Sequence, residues 1–266
     1  MNLASKCPEK AQPRNRSGIE LARSGQLLAA LQEFRQAVRV CPQNAEANYN
    51  LGNALNRIGE RDKAIDTLRT AVNLDPASAP AHFGLGLALA SEDELQGVVA
   101  ESRRAAELIP DSVEAHYNLG LAQARLGKIQ DAVAELSKAT LLQPGFGQAH
   151  MNLGVLFRRQ GKRQDALREL RTATRLLPRD PEAHYNLGVT LREEGNLDEA
   201  LSEFETAIAL KPDYKDARYT RALILHAEGQ QNVAQREFDE IASLSKFRAG
   251  LTQAKVLMGS ASSGQD

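Results

Sequence analysis

Hydrophobic and polar residues follow one another along this chain in a pattern that returns every 34 residues. The segments VEAHYNLGLA, GQAHMNLGVL and PEAHYNLGVT begin at Val113, Gly147 and Pro181. Each places small and apolar residues three and four positions apart, which predicts an amphipathic helix. A glycine follows each segment and a proline follows the next apolar segment, and both residues are typical of a helix end. The pattern therefore predicts a tandem array of helix pairs.

Seven copies of the repeat are in register, and we number the positions of each copy from 1 to 34. Position 8 is glycine in the first six copies, position 15 is glycine in six of the seven, and position 32 is proline in the first six. We predict helix A over positions 2–14 and helix B over positions 18–31. The copies, hereafter repeats 1 to 7, begin at Ala11, Ala45, Ala79, Val113, Gly147, Pro181 and Lys215.

Small residues at positions 8, 20 and 27 let the two helices of a repeat approach closely. Large residues at positions 7, 11, 24 and 30 fill the space around them, and in repeat 2 they are Leu51, Leu55, Leu68 and Leu74. One helix pair cannot bury its apolar faces alone, so neighbouring repeats must stack on one another.

The pattern resembles the tetratricopeptide repeat (TPR) family. The resemblance rests on Leu-Gly at positions 7 and 8, alanine at 20 and 27, a leucine or aromatic residue at 24, and proline at 32. It implies an all-α fold, a right-handed superhelical solenoid of about seven 34-residue helix-turn-helix repeats plus a C-terminal capping helix. We assign the seven repeats to residues 11–248, the end of the capping helix to 249–258 and a flexible tail to 259–266.

Some segments depart from the repeat pattern. Cys7-Pro8 lies one period before Cys41-Pro42, so residues 1–10 are interpreted either as part of a preceding repeat or as a segment outside the array. Repeat 7 has Arg221-Ala222 in place of Leu-Gly, as terminal repeats are commonly atypical. Repeat 3 is internal, yet Asp93, Val98 and Ser102 replace glycine, alanine and a bulky residue. We therefore predict that helix B of repeat 3 is the most loosely packed.

Composition narrows the class of protein. The chain is 42% hydrophobic and 25% charged, which is ordinary for a folded globular protein. Its net charge of −1 gives no basic footprint for nucleic acid, and no apolar run is long enough for a membrane span. Two cysteines are too few for a disulfide scaffold. No signal peptide is evident at the N-terminus, so a cytoplasmic location is the default expectation unless an upstream signal has been removed.

Helix A carries a second, unexpectedly apolar stripe opposite the Leu-Gly stripe. On a helical wheel, positions 2, 5, 9, 12 and 13 face away from the packing stripe. The family resemblance places these positions on the concave wall of the superhelix, where aromatic and charged side chains suit a protein or peptide partner. Packing between neighbouring A helices is the other interpretation. With position 6 added, the candidate peptide-binding residues are Tyr49, Asn50, Phe83, Tyr117, Asn118, Arg125, Met151, Asn152, Arg159, Tyr185, Asn186, Arg192 and Tyr219.

Asparagine recurs at position 6 in four repeats, although it is a poor residue for the middle of a helix. One interpretation is a structural hydrogen bond between neighbouring repeats. The other is an amide ladder that grips the backbone of an extended peptide, because an amide both donates and accepts. Such a ladder is similar to that of the TPR superhelix in O-linked N-acetylglucosamine transferases. The asparagines are Asn50, Asn118, Asn152 and Asn186.

Histidine recurs at position 4, in His82, His116, His150 and His184. We reject a metal site, because ligands repeated once per helix pair do not converge on one ion. Partly buried contacts between repeats are the better interpretation. No cofactor is expected. The chain also lacks GxSxG, HExxH, P-loop and dinucleotide motifs, so we predict that it is not an enzyme.

These observations predict a non-catalytic scaffold or adaptor that binds an extended peptide or a partner protein in the concave groove. One alternative is a structural spacer or self-association module, because the exposed ends of a repeat array can associate weakly end to end. Another is the substrate-recruiting arm of an enzyme similar to O-linked N-acetylglucosamine transferases, whose catalytic domain lies outside this chain.

Overall fold

The computed structural model describes residues 7–90 and 94–243, and within these ranges all regular structure is helical. The all-α repeat fold is thereby confirmed. The proposed capping helix and tail lie outside the described residues, as does Asp93. The helices are α1 (Cys7–Arg23), α2 (Leu27–Val40), α3 (Ala45–Arg57), α4 (Arg61–Leu74), α5 (Ala79–Ala88), α6 (Leu95–Leu108), α7 (Val113–Arg125), α8 (Ile129–Leu142), α9 (Gly147–Arg159), α10 (Arg163–Leu176), α11 (Pro181–Glu193), α12 (Leu197–Leu210), α13 (Lys215–Ala227) and α14 (231–243, where the described residues end).

Most repeats contribute helix A over positions 1–13 and helix B over positions 17–30, one residue earlier than predicted. Two helices differ. Helix α1 starts at Cys7, four residues before repeat 1, so the described part of the N-terminal segment continues directly into helix A. Helix α5 ends at Ala88, three residues short of its counterparts in other repeats.

Contacts divide the chain into two compact units, Met1–Pro144 and Gly145–Asp266. The first contains α1–α8, and its core includes Leu31, Phe34, Leu55 and Leu68. The second contains α9–α14 and has its own core of leucine, alanine and phenylalanine. No helix among the described residues is both long and apolar enough to cross a bilayer.

Glycine at position 15 ends helix A through its backbone conformation. Gly59 has a φ of +86°, which side-chain-bearing residues rarely adopt. Its N–H donates to the Asn56 carbonyl at 3.1 Å, and the N–H of Glu60 donates to Leu55 at 3.0 Å. These two bonds are a Schellman motif, which satisfies carbonyls that the helix end leaves unpaired. The following helix therefore begins after a turn of fixed geometry.

The contact between helices A and B of each repeat is centred on the glycine at position 8. A Cβ built on Gly52 would lie 2.5 Å from Cγ of Leu68, which is itself fully buried. Repeats 1, 4, 5 and 6 show the same approach to a leucine or phenylalanine at position 24. The predicted role of the small residue at position 8 is confirmed: only glycine permits this distance between the two helices.

Repeat 7 keeps an apolar contact here, because Phe238 packs against the cluster that contains Ala222, but it carries a charged residue at the neighbouring position 7. Arg221 takes the place of leucine, and its guanidinium donates both to Glu237 and, at 2.8 Å, to Glu205. Arg218 also pairs with Glu237 at 2.8 Å. The Glu237 side chain is buried, so this carboxylate depends on its two arginines to offset the loss of hydration.

A disulfide bond joins Cys7 to Cys41, across a sequence separation of 34 residues and a Cα–Cα distance of 5.2 Å. It ties the start of α1 to the residue after α2, and the fully buried Ala11, Ala37 and Ala47 surround it. The cysteine count alone gave no reason to expect a covalent link. The one-period spacing that suggested a preceding repeat is also the spacing that brings the two sulfurs together.

Alanine substitutions at two equivalent glycines should have opposite effects on stability. We expect Gly52→Ala to lower the free energy of unfolding by about 1–3 kcal/mol, the usual cost of overpacking. Gly86→Ala should be neutral or stabilising by up to about 1 kcal/mol, since alanine is the better helix former and the nearest atom, Ser102 Oγ, would be 3.2 Å away. Urea denaturation followed by circular dichroism measures both, and equal losses would contradict this account of the helix contact.

Reduction of the disulfide should destabilise repeat 1. Closing a loop of this length stabilises a chain by roughly 3–4 kcal/mol in the chain-entropy treatment. We expect a reductant to lower the thermal midpoint and to speed amide exchange in α1. A Cys7→Ser/Cys41→Ser variant is the control, because its midpoint should not respond to reductant. If both cysteines of the native, unreduced protein react with iodoacetamide, the bond is absent.

Candidate functional site

We call positions 2, 5, 6, 9, 12 and 13 of helix A the A face. Most of its side chains at position 5 pack against other residues. Tyr49 packs against the core of the first compact unit, and Phe83 packs against Ala105, Ala106 and Ala115. Met151 is 7% exposed within the second core. Tyr219, by contrast, is 52% exposed, while Tyr117 and Tyr185 are half-buried. The apolar stripe is therefore in good part packed against helix B of the same repeat and helix A of the next, as the contacts of Phe83 show.

Tyr185 is held in an aromatic cluster. Its ring centroid lies 5.9 Å from that of Phe204 and 5.1 Å from that of Tyr214. The ammonium of Lys211 lies 4.9 Å from the centroid of Tyr214. Burial raises the pKa of the Tyr214 phenol, and the nearby Glu182 carboxylate raises it further, so this phenol stays neutral. Substituting Tyr185 would disturb packing as well as any ligand.

The asparagines at position 6 differ in their hydrogen bonds. Asn50 donates from Nδ2 to Oδ1 of Asn15 at 2.9 Å, a bond between repeats 1 and 2. Asn152 donates to the Gln148 carbonyl within its own helix. The side-chain amides of Asn118 and Asn186 have no hydrogen-bond partner among the described residues, although Asn186 is only 8% exposed. Asn118 is thus the candidate best placed to meet a ligand.

Arginines at positions 12 and 13 give the A face a basic edge. Arg23, Arg57 and Arg125 are exposed and form no salt bridge with any described residue. Arg159 is exposed as well and Arg192 is half-buried. The opposite edge carries acidic residues at position 2, all of them exposed: Glu46, Glu114, Glu182 and Asp216.

The repeated histidines connect helices. His116 Nδ1 lies 2.6 Å from Oε2 of Glu135 in the same repeat, and its Nε2 lies 2.8 Å from the Pro110 carbonyl of the preceding repeat. His82 and His184 make the same pair of contacts. No cluster able to hold a metal ion occurs among the described residues. The expectation of contacts between repeats is confirmed.

Repeat 3 has the small Ser102 at position 24, where the neighbouring repeats have leucine. The residue facing Gly86 is Ser102, and a cavity of about 130 Å³ lies beside it. Leu87 and Leu95 form part of its apolar wall, and Arg125 lies at its edge. An equivalent set of positions in repeats 1 and 2 surrounds a cavity of about 380 Å³.

Comparison with known proteins identifies the family. A family model described as tetratricopeptide repeat matches residues 98–145, 117–162, 151–215 and 191–238. A second, described as TPR repeat, matches residues 18–59 and 52–92. Because the first spans more than half of the chain, the protein belongs to the tetratricopeptide repeat family. No curated protein matches the sequence.

Solved structures share the fold. YrrB, described as a TPR protein with an unusual peptide-binding site, is 24% identical, with a TM-score of 0.61 over 74% of this chain and 97% of its own. MamA is 28% identical, with a TM-score of 0.56 over 60% of this chain and 93% of its own. PilF of Pseudomonas aeruginosa is 20% identical, with a TM-score of 0.66 over 77% and 97% of the two chains. At these identities YrrB and PilF are evidence for the fold alone.

Two sets of side-chain contacts were absent from the sequence-based prediction. The glutamate that binds each position-4 histidine follows it by 19 residues, and this spacing is visible in the sequence. The partners of Asn50 and Tyr185 carry no comparable signal, because Asn15 and Tyr214 have no counterpart of the same type in the other repeats.

The small Ser102 at position 24 of repeat 3 should make α6 less tightly packed. We expect amides of α6 to exchange faster than those of α4 and α8, because Ser102 makes fewer apolar contacts than Leu68 or Leu136. Hydrogen exchange followed by mass spectrometry on peptides from the three helices measures this. Equal protection of all three would contradict the prediction.

Proposed function

We propose that this chain is a non-catalytic scaffold that binds an extended peptide segment of a partner protein along the A face. TPR proteins in general bind protein or peptide partners. The observation that carries the proposal is the set of unpaired groups at positions 6 and 13. The Asn118 amide and the Arg125 guanidinium lie on one face of α7, without partners among the described residues. An amide can bond a peptide backbone, and an arginine can bind a carboxylate.

Several predicted site residues have structural roles, so the proposal assigns direct peptide contacts to fewer residues. Asn50 is bonded to Asn15, Met151 is buried, and Tyr185 belongs to an aromatic cluster. These residues support the shape of the face. The direct contacts are therefore assigned to Tyr117, Asn118 and Arg125 in the first compact unit. In the second they are assigned to Arg159 and Tyr219, both of which are exposed.

The disulfide bond bears on the cellular compartment in which we expect this chain to work. Stable disulfides persist in oxidising compartments and are rare in the cytosol. The Cys41 side chain is 1% exposed, which limits access of a reductant to that sulfur. We infer that the chain works in an oxidising compartment, in place of the cytoplasmic default.

A triple variant tests the A face. Tyr117→Ala/Asn118→Ala/Arg125→Ala should abolish capture of partners from the native lysate, because it removes an apolar surface, an amide and a charge together. Affinity capture with quantitative mass spectrometry measures the loss. Helix content and thermal midpoint are checked in parallel, since part of Tyr117 is buried.

The control variant is Arg104→Ala/Lys138→Ala, which removes two exposed charges from B helices and should capture the same partners as the wild type. Equal capture of partners by the wild type, the triple variant and the control variant would rule out the A face as the binding surface.

Light scattering on the same samples tests the alternative function, which is self-association. A concentration-dependent oligomer together with unchanged capture would favour self-association.

A further inference from the structure

We propose that the cavity between repeats 3 and 4 is an anchor site for one aliphatic side chain of an acidic peptide segment. This proposal rests on the peptide-binding function proposed above and adds the chemistry of the peptide. The cavity is lined by Ser102 at position 24, where the neighbouring repeats 2 and 4 have leucine.

A small residue at position 24 forms part of the cavity wall. Position 24 is phenylalanine or leucine in repeats 1, 2, 4, 5 and 6, and in each case that side chain covers the glycine at position 8. In repeat 3 the residue is Ser102, whose Oγ would be 3.2 Å from a Cβ on Gly86. The serine is 2% exposed and its hydroxyl has no hydrogen-bond partner among the described residues. Ser102 therefore contributes a small polar side chain to an otherwise largely apolar cavity wall.

The size and lining of the cavity fit a branched aliphatic group. Its volume is about 130 Å³, and Leu87, Leu95, Val98 and Leu121 contribute to its wall. An apolar cavity of about 150 Å³ stays dry and accepts a molecule as large as benzene. The side chain of leucine, isoleucine, valine or methionine therefore has a suitable size to fill the space.

The edge of the cavity presents polar groups from the A face. Asn118 and Arg125 line it from α7, at positions 6 and 13 of repeat 4. The exposed Arg125 guanidinium has no carboxylate partner among the described residues, so an acidic residue beside the anchoring side chain would complete its pairing. The Asn118 amide can bond the peptide backbone between the two side chains.

Positive charge continues along the same face. The cavity between repeats 1 and 2 is lined by the same repeat positions, with Arg23 and Arg57 at its edge and Phe34 at position 24. Neither arginine forms a salt bridge with a described residue. These three arginines in one compact unit favour an acidic segment along the position-13 edge, whereas Glu46 and Glu114 lie on the opposite, position-2 edge.

The test fills the cavity with the residue that other repeats use. Ser102→Leu should keep or raise the thermal midpoint, because leucine occupies this position opposite glycine in repeats 2, 4 and 5. It should also weaken the anchored peptide by at least about tenfold, the expected effect of excluding one aliphatic side chain. A mere packing defect predicts the gain in stability without the loss of binding.

The probe is a phage-displayed library of random dodecapeptides, selected on the wild-type chain. The selected peptides are synthesised and measured by fluorescence anisotropy. We expect them to carry leucine, isoleucine, valine or methionine beside aspartate or glutamate. Replacing that aliphatic residue with alanine should weaken binding to the wild type but add nothing further in Ser102→Leu. Ser102→Ala is the matched control, since it keeps the cavity open and should retain the affinity.

The outcomes separate the two proposals. Selected peptides that bind Ser102→Leu as tightly as the wild type, while losing affinity for the Tyr117/Asn118/Arg125 variant, reject the cavity and retain the A face. Additive losses from the peptide and protein substitutions also reject the cavity. If the wild type selects no peptide, both proposals are rejected.

Discussion

The close approach of helix A to helix B at glycine is the contact on which each repeat depends. A Cβ at Gly52, Gly120 or Gly154 would lie 2.5–2.8 Å from a buried leucine, so the two backbones are as near as the side chains allow. This distance lets one leucine or phenylalanine at position 24 cover the glycine and fill the centre of the repeat. Alanines at positions 20 and 27 are fully buried for the same reason.

Polar contacts then join one repeat to the next. The imidazole at position 4 contacts a glutamate of its own helix pair and the proline carbonyl that ends the previous pair. Proline has no N–H, and its carbonyl lies beyond the end of helix B, where it needs a donor from elsewhere. Asn48 and Arg218 donate to the same carbonyl in repeats that lack the histidine. The contact thus survives a change of residue type, which favours a structural over a catalytic role.

Local signals made the fold predictable. Glycine at position 15 and proline at position 32 place helix ends to within one residue in most repeats, because each acts through its own backbone. Contacts across repeats were harder to foresee. The one-period spacing of Cys7 and Cys41 suggested that the N-terminal segment is part of a preceding repeat. In stacked helices the same spacing also brings the two side chains together. Likewise, the bond from Asn50 to Asn15 joins residues at different positions, which a comparison of equivalent positions does not reveal.

In a repeat array, residues that follow the repeat pattern can be distinguished from residues that depart from it. The first group is explained by packing, and the second contains the candidates for recognition. Residues that recur in register, such as the glycine, the histidine and the leucine, meet the same neighbours in every copy and are explained by packing. A departure loses that packing and is retained only if the loss is small or another interaction offsets it. In repeat 7 Arg221 takes the place of leucine and pairs with the buried Glu237. In repeat 3 the small Ser102 lies opposite Gly86 and lines a cavity beside the Asn118 amide and the Arg125 guanidinium. A departure from the pattern at a packing position thus lies next to two polar side chains of the A face, which is the arrangement that the proposed peptide anchor uses.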